Sequence, residues 1–381
     1  MNILFLDQFS EIGGAQRGLL DVLQAVEERG WKAHVLIPGG GPLVEQLLAR
    51  GVAVDEIPCG PYQSGSKSPS DFLRFAFDVR RQIRVIRDLV SRTTFDLIYV
   101  NGPRLLPAAA IASERRLPVL FHLHSHINQR YAVRLARWCS GRADVTVVAC
   151  SRSAAGSVAG IVPLERVHVI VNGIAEIPFR QRAFNGDWCI GMVGRISPEK
   201  GQIEFLKAVA VLRAEFPNIR FLICGAPLFA MDRYFDQVCT EARGLNVEFL
   251  GWREDVASVF AELDVLVVPS KQEAMGRVLV EAFSAGVPVV AFPVGGIPEV
   301  IANDETGFLV QPATPEALAV KLRELLTGDP KRLRAVAANA RRAWEEHHTL
   351  ASYQATITDL MWRLVSDRRA ERERAAPPQH T

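Results

Sequence analysis

Lysine is scarce in this chain, with seven residues against thirty-seven arginines among 381, so a lysine placed in a structured turn carries information. Cysteine is sparse too. Six (Cys59, Cys139, Cys150, Cys189, Cys224, Cys239) are scattered without a CxxC pair, which argues against a zinc site and for a reduced, cytoplasmic protein. Cys150, Cys189 and Cys224 fall in strand-like apolar runs and read as small buried thiols. No apolar run approaches the ~18 residues that a bilayer demands. The chain opens on MNILFLD, a strand with no basic flank, which is unlike a signal peptide. There is no G-x-G-x-x-G, no Gly-Lys-Ser/Thr loop and no D-x-D triplet. These absences weigh against a dinucleotide-dependent dehydrogenase, a P-loop enzyme and a metal-bridged diphosphate site.

What is present describes a folded protein of two domains: 49% apolar and 23% charged residues, in a chain too long for one ordinary core. Apolar strand-like runs alternate with helical periods. NILFLD, AHVLIP, VAVDEIP, DLIYVN, PVLFHLH, VTVVAC and VHVIVN are followed by CIGMVGR, RFLICG, VEFLGW, DVLVVPS and PVVAFP. Such alternation predicts α/β architecture with a parallel sheet in each half. The change of composition over residues 175–187, with Pro178, reads as a linker. We therefore expect an N-terminal domain over residues 1–174 and a second over 188–348. A long helix follows at 350–370, and residues 371–381 read as a disordered tail.

The net charge of +2 conceals an asymmetry. Residues 67–152 hold fifteen Lys and Arg against six Asp and Glu, or +9, and the other 295 residues sum to −7. Much of this charge lies on two helical stretches, 71–92 and 128–142. It suits either a solvated helix face or contact with an anionic membrane or acidic acceptor. Nucleic acid is disfavoured because no binding motif accompanies the charge.

Four motifs carry chemistry. In PSKQEAMGRVLVEAFSAGVPVVAFPVGGIPEVI (residues 269–301), a strand ends at Pro269, a loop runs to Gly276, and a helix follows that Gly286 closes. Glu273 sits on the loop, Glu281 on the helix eight residues later, and the N–H groups of Arg277 and Val278 open that helix as an anion site. Two solvated glutamates would look similar. In context, a carboxylate, an amide cradle and a second carboxylate suit a nucleotide-sugar. GMVGRISPEKG places Arg195 at a strand end and Lys200 before Gly201, two cations that can hold a diphosphate or stand as surface charges. Gly13 and Gly14 precede an amphipathic helix, a phosphate-facing or purely structural turn. HLHSH ends another strand, and alternation puts His122, His124 and His126 on one face; no nearby carboxylate or cysteine completes a metal site.

Together these segments resemble the retaining glycosyltransferases of the GT-B fold, glycosyltransferase family 4. The resemblance implies two Rossmann-like domains facing across a cleft, with the 350–370 helix packing back on the N-terminal domain. It implies that Arg195 and Lys200 neutralise the leaving diphosphate, Glu273 contacts the donor sugar and Glu281 the ribose. Ala274, Met275, Gly276, Arg277 and Val278 would lie along sugar and phosphates, with Gly13 and Gly14 facing phosphate. His124, with His122 as the alternative, would stand near the attacking hydroxyl. Catalytic roles therefore fall to Glu273, His124, Arg195 and Lys200. No cofactor or metal is implied, and the acceptor would be a glycan or lipid-linked hydroxyl shaped by the loop 60–69 (GPYQSGSKSP). The setting would be surface-polysaccharide assembly at the inner face of the cytoplasmic membrane, with peripheral contact through the two basic helices. Met275 and Arg277 replace an aromatic and an aliphatic residue of many members, and Ser125 an acid, which leaves sugar specificity open. A phosphorylase, a nucleotide-sugar epimerase or a silent binding protein of the same fold remain alternatives.

Overall fold

The computed structural model describes residues 1–60, 68–184, 186, 188–227 and 232–375. The chain folds as two compact units, Met1–Val171 with the residues from Tyr353 onward, and Asn172–Ser352. The first unit is built on β1 (Asn2–Asp7), β2 (Lys32–Ile37), β3 (Ala53–Glu56), β4 (Leu97–Asn101), β5 (Val119–Leu123), β6 (Val145–Ala149) and β7 (Val167–Val169). Between them run α1 (Gly14–Glu28), α2 (Pro42–Ala49), α3 (Pro69–Arg92), α4 (Leu106–Ala112), α5 (Arg130–Arg142) and α6 (Arg152–Gly156). The sheet is parallel throughout, in the order β3-β2-β1-β4-β5-β6-β7. Strands β4, β5 and β6 are buried along their whole length, because helices cover both faces of a parallel sheet; continuous apolar runs such as VTVVA are what that environment selects.

The second unit repeats the plan with β8 (Cys189–Val193), β9 (Arg220–Cys224), β10 (Val247–Gly251), β11 (Val265–Val268), β12 (Val289–Ala291) and β13 (Phe308–Leu309). Its helices are α7 (Gln202–Arg213), α8 (Asp232–Glu241), α9 (Val256–Glu262), α10 (Arg277–Ala285), α11 (Ile297–Val300), α12 (Pro315–Thr327) and α13 (Pro330–His347). The order is β10-β9-β8-β11-β12-β13, again parallel. Phe205, Phe221, Phe292 and Phe308 fill the core between this sheet and its helices. In both sheets the strand order reverses beside the first strand, between β1 and β4 and between β8 and β11. A crevice at the carboxyl ends of the strands is expected at such a switch point.

The last helix, α14 (Leu350–Ala375), starts in the second unit and belongs to the first from Tyr353 onward. Ile357, Leu360, Met361 and Val365 are buried there, Trp362 stacks on Trp31 with ring centroids 6.3 Å apart, and Arg29 pairs with Asp359 at 2.6 Å. Residues 371–375, read from sequence as part of a disordered tail, are helical; 376–381 lie outside the described residues. The described residues of 175–187, read as a linker, belong instead to the second unit: Ile177 N–H donates to Ser284 Oγ at 2.8 Å, and Arg182 is buried. Arg182 donates to the carbonyls of Phe260 and Leu263 at the end of α9, and to those of Ala285 and Gly286 at the end of α10. Both helix C-termini thus gain a cation at their orphan carbonyls. The predicted strands were all found; β13 was not foreseen, since two residues show no pattern.

Candidate active site

In the second unit, the loops leaving β8 and β11 meet at the switch point. Gly201 ends the first of them at φ +78°, and a Cβ there would fall 2.0 Å from the Pro269 carbonyl oxygen, so only glycine permits the approach. Lys271 N–H donates to the Glu199 carbonyl at 2.8 Å, tying the loops again. The result is that Lys200 Nζ stands 2.5 Å from Glu273 Oε2, with Ser270 Oγ donating to the same oxygen at 3.3 Å. Glu273 is mostly covered, and Lys200 is about a quarter exposed, with side-chain exposures of 11% and 26%. Two residues separated by 73 positions and singled out independently therefore form one charged pair.

Arg195, on the same β8 loop, is held by its backbone: Gln202 Nε2 donates to its carbonyl at 2.9 Å, and its guanidinium lies 3.8 Å from Glu199. Gly276, at φ +86°, caps the start of α10, as the sequence predicts, and Gly296 N–H donates to the Glu273 carbonyl at 3.0 Å. Arg277 and Val278 occupy the first turn, where N–H groups point out of the helix start. Glu281, one turn on, lies 3.5 Å from the Arg277 guanidinium, and both side chains are largely covered. Met275 is 2% exposed, so its side chain is packed away rather than displayed on the loop. A lysine, a carboxylate and a helix start within one crevice can bind an anion that also carries hydroxyls. Among the described residues, no group of three His, Cys, Asp or Glu side chains is placed to hold a metal ion.

The first unit holds a buried polar network at its own switch point. Asp7 and Asn101 are register partners at the ends of β1 and β4. Asn101 Nδ2 donates to Asp7 Oδ2 at 2.5 Å, and Gln16 Nε2 donates to Oδ1 at 3.0 Å. Gln16 Oε1 in turn accepts from Gly13 N–H at 3.2 Å, which fixes the turn before α1, where Gly14 begins the helix. On the other side, Asn101 Oδ1 lies 2.7 Å from His124 Nε2. Burial pushes the Asp7 carboxyl up to about 6 against the hydrogen bonds from Asn101, Phe9 N–H and Gln16. His122 packs on His124 at 3.8 Å between ring centroids, and its Nδ1 meets the Tyr99 hydroxyl. Burial, and then His124, holds His122 well below the ordinary histidine value.

The three imidazoles do not share one face. Strand β5 stops at Leu123, and His126 turns away to Ser153 Oγ at 2.9 Å. His122 is fully buried, which leaves His124 as the histidine nearer to solvent. Asp7, Gln16 and Asn101 were not foreseen. The signal for Asp7 and Asn101 was a polar residue closing an apolar run, in NILFLD and DLIYVN; Gln16, inside α1, had none. The basic stretches form α3 and α5, which begin at Pro69 and Arg130; most of the loop at 60–69 falls outside the described residues.

Comparison with known proteins decides the family. Residues 173–343 match the family described as "Glycosyl transferases group 1", and residues 12–176 match "Glycosyltransferase Family 4". The chain belongs to the GT-B glycosyltransferases. It is 26% identical over 349 residues to "Sulfoquinovosyl transferase SQD2" of Arabidopsis thaliana, covering 84% of this chain and 64% of that protein. It is 37% identical over 178 residues to a "D-inositol 3-phosphate glycosyltransferase" of Corynebacterium glutamicum, covering 45% of this chain and 41% of that protein. The chain thus spans under two thirds of the length of these curated relatives. The crystal structure of Anabaena Alr3699/HepE in complex with UDP and glucose superposes with TM-score 0.80 at 26% identity, over 95% of this chain and 99% of that one. Sucrose-phosphate synthase of Thermosynechococcus elongatus, at 19% identity and TM-score 0.78, shares the fold. Within this GT-B frame, Arg195, Lys200, Glu273 and Glu281 lie in the first matched segment, and Gly13, Gly14 and His124 in the second.

Proposed function

We propose that this GT-B protein transfers a hexose from a nucleoside-diphosphate sugar, a UDP-sugar in the first instance, to an acceptor hydroxyl with retention of configuration. The observation that carries the reading is the 2.5 Å pair of Lys200 and Glu273 at the β8/β11 switch point. The choice of UDP is supported by HepE, a relative whose structures include complexes with UDP and with UDP-glucose. In this reading Lys200 and Arg195 stabilise the departing diphosphate, with the N–H groups of Arg277 and Val278. Each charged hydrogen bond is worth about 1.5–3 kcal/mol, and more to the developing charge than to the bound donor. Glu273 holds sugar hydroxyls and Glu281 the ribose; the backbone of Ala274, Met275 and Gly276 lines the donor. Gly14 offers its N–H to phosphate in the turn that Gly13 makes with Gln16, and His124, oriented by Asn101, serves the attacking hydroxyl.

Fixed cations replace a metal in this scheme, so turnover should survive EDTA. Two carboxylates holding opposite ends of the donor are not a nucleophile pair. Front-face attack, with the leaving phosphate taking the acceptor proton, is the route to retention. The acceptor is a glycan or lipid-linked hydroxyl of a surface polysaccharide or glycolipid, met at a membrane surface. Among the described residues no helix is long and apolar enough to cross a membrane.

The test is to bind a panel of nucleotide-sugars by thermal shift, then follow UDP release and the anomeric NMR signal with acceptors, with and without EDTA. A retained anomer and acceptor-dependent UDP release are expected. An epimerised donor, a sugar 1-phosphate, or no binding of any nucleotide-sugar would overturn the assignment.

A further inference from the structure

A cavity of about 510 Å³ opens in the first unit among the N-terminal parts of α3, α4 and α5 and the loops that leave β4 and β5. It therefore lies on the carboxyl side of the sheet, where ligands of parallel α/β proteins collect. Of its 14 lining residues only Asp71, Arg104, Gln129 and the hydroxyl-bearing Tyr131 are polar. Leu106, Leu135 and Ile127 form apolar wall, and the partly exposed rings of Phe72 and Tyr131 meet edge-on at 5.3 Å. Sugars and nucleotides would bury hydroxyls or phosphates unpaired against such walls. A hydrocarbon chain would not.

The surroundings are cationic. Helix α5 carries Arg130, Arg134, Arg137 and Arg142 with no acidic residue, and α3 carries six arginines against three aspartates. Towards the C-terminal ends of α3 and α5, Arg87, Arg115, Arg137 and Arg142 line with Glu114, which pairs with Arg87 at 3.1 Å, a second, open cavity of about 670 Å³ beside Trp138. An apolar hole in a cationic layer complements one chemistry, a chain attached to an anionic group. We infer that the α3–α4–α5 cavity receives the hydrocarbon chain of an anionic amphiphile, the lipid part of the acceptor. This rests on the transferase reading in one respect, that the amphiphile is the acceptor.

Binding is read by titration calorimetry with butyl, hexyl, octyl and decyl phosphate below their aggregation concentrations, alongside UDP-glucose on the same samples. Each methylene buried should tighten binding about fourfold until the cavity is full. Ala132→Trp, which fills the cavity, and Leu135→Ser, which makes its wall polar, should both flatten the series and leave UDP-glucose binding unchanged. Binding independent of chain length, or unaffected by both variants, overturns the inference even where UDP-glucose binds. So does conversion of a dimer to a monomer by Ala132→Trp, which would make a second copy the occupant, or binding that appears only when residues 61–67 are deleted, which would make that segment the occupant. Wild-type protein that binds decyl phosphate but no UDP-glucose or other nucleotide-sugar keeps the cavity and sinks the transferase reading.

Discussion

Lys200 and Glu273 are each other's partner, and that pairing sets what substitution does. Removing either leaves its counterpart without the charge that positions it, so Lys200→Ala and Glu273→Ala should each lower turnover about 100-fold or more, the scale of a lost transition-state contact. Steady-state kinetics on both variants checks this; near-normal kcat in either removes the pair from the site. Asp7 makes a different prediction. Its carboxyl titrates near 6 in the fold, above its ordinary 3.8, because burial disfavours the charge. Between those values the folded state keeps a proton that the unfolded chain has released, so stability falls as pH rises from about 4 to about 6, by about 3 kcal/mol, and stays low above. Asp7→Asn should abolish that component, and urea unfolding of both proteins from pH 4 to 7 measures it; parallel curves would refute it. The two cases also differ in legibility. Lys200 and Glu273 stand in long motifs whose turns announce themselves. Asp7 and Asn101 form a site only because β1 and β4 are paired in that register, which no local pattern states.

Among elements, the segment before β8 departs most from its sequence reading. Pro178 and the absence of a period suggested a passive connection, yet Arg182 from this segment caps two helices at once. The residue is 6% exposed, and its guanidinium is bonded to carbonyls at the ends of α9 and α10. Burial pulls its pKa down to about 10, still far above neutrality, so it remains charged. Arg182→Met should cost about 3 kcal/mol or more, because several buried carbonyls lose their donor together. Denaturant unfolding reads the loss, and a change under about 1 kcal/mol, the worth of one ordinary hydrogen bond, would show that the caps are dispensable. Sequence reasoning missed this since the carbonyls that Arg182 meets belong to backbone far along the chain, and Asp264, the opposite charge near it, is 82 positions away. The strands were legible for the opposite reason: a parallel sheet covered on both faces demands unbroken apolar runs, as in LIYVN and VLVV.

At the scale of the whole molecule, the division into two units was readable from the alternation of strands and helices, and the path of α14 came only with the family resemblance. Its buried Ile357, Leu360, Met361 and Val365 complete the first unit with residues that follow the second in the chain. A protein ending at Ser352 should therefore lose hydrogen-exchange protection across β1–β7 while β8–β13 keep theirs; equal protection in both sheets would contradict that. The end of α14 was misread because ERERA looks like a polar tail. Arg368 and Arg372 hold it by donating to the carbonyls of Arg115 and Arg116.

The sealed guanidinium at Arg182 has an experimental use. A dicarbonyl reagent such as phenylglyoxal cannot attack it until the second unit opens, whereas the many surface arginines react at once. Peptide mass mapping over time would then make one side chain a clock for that opening.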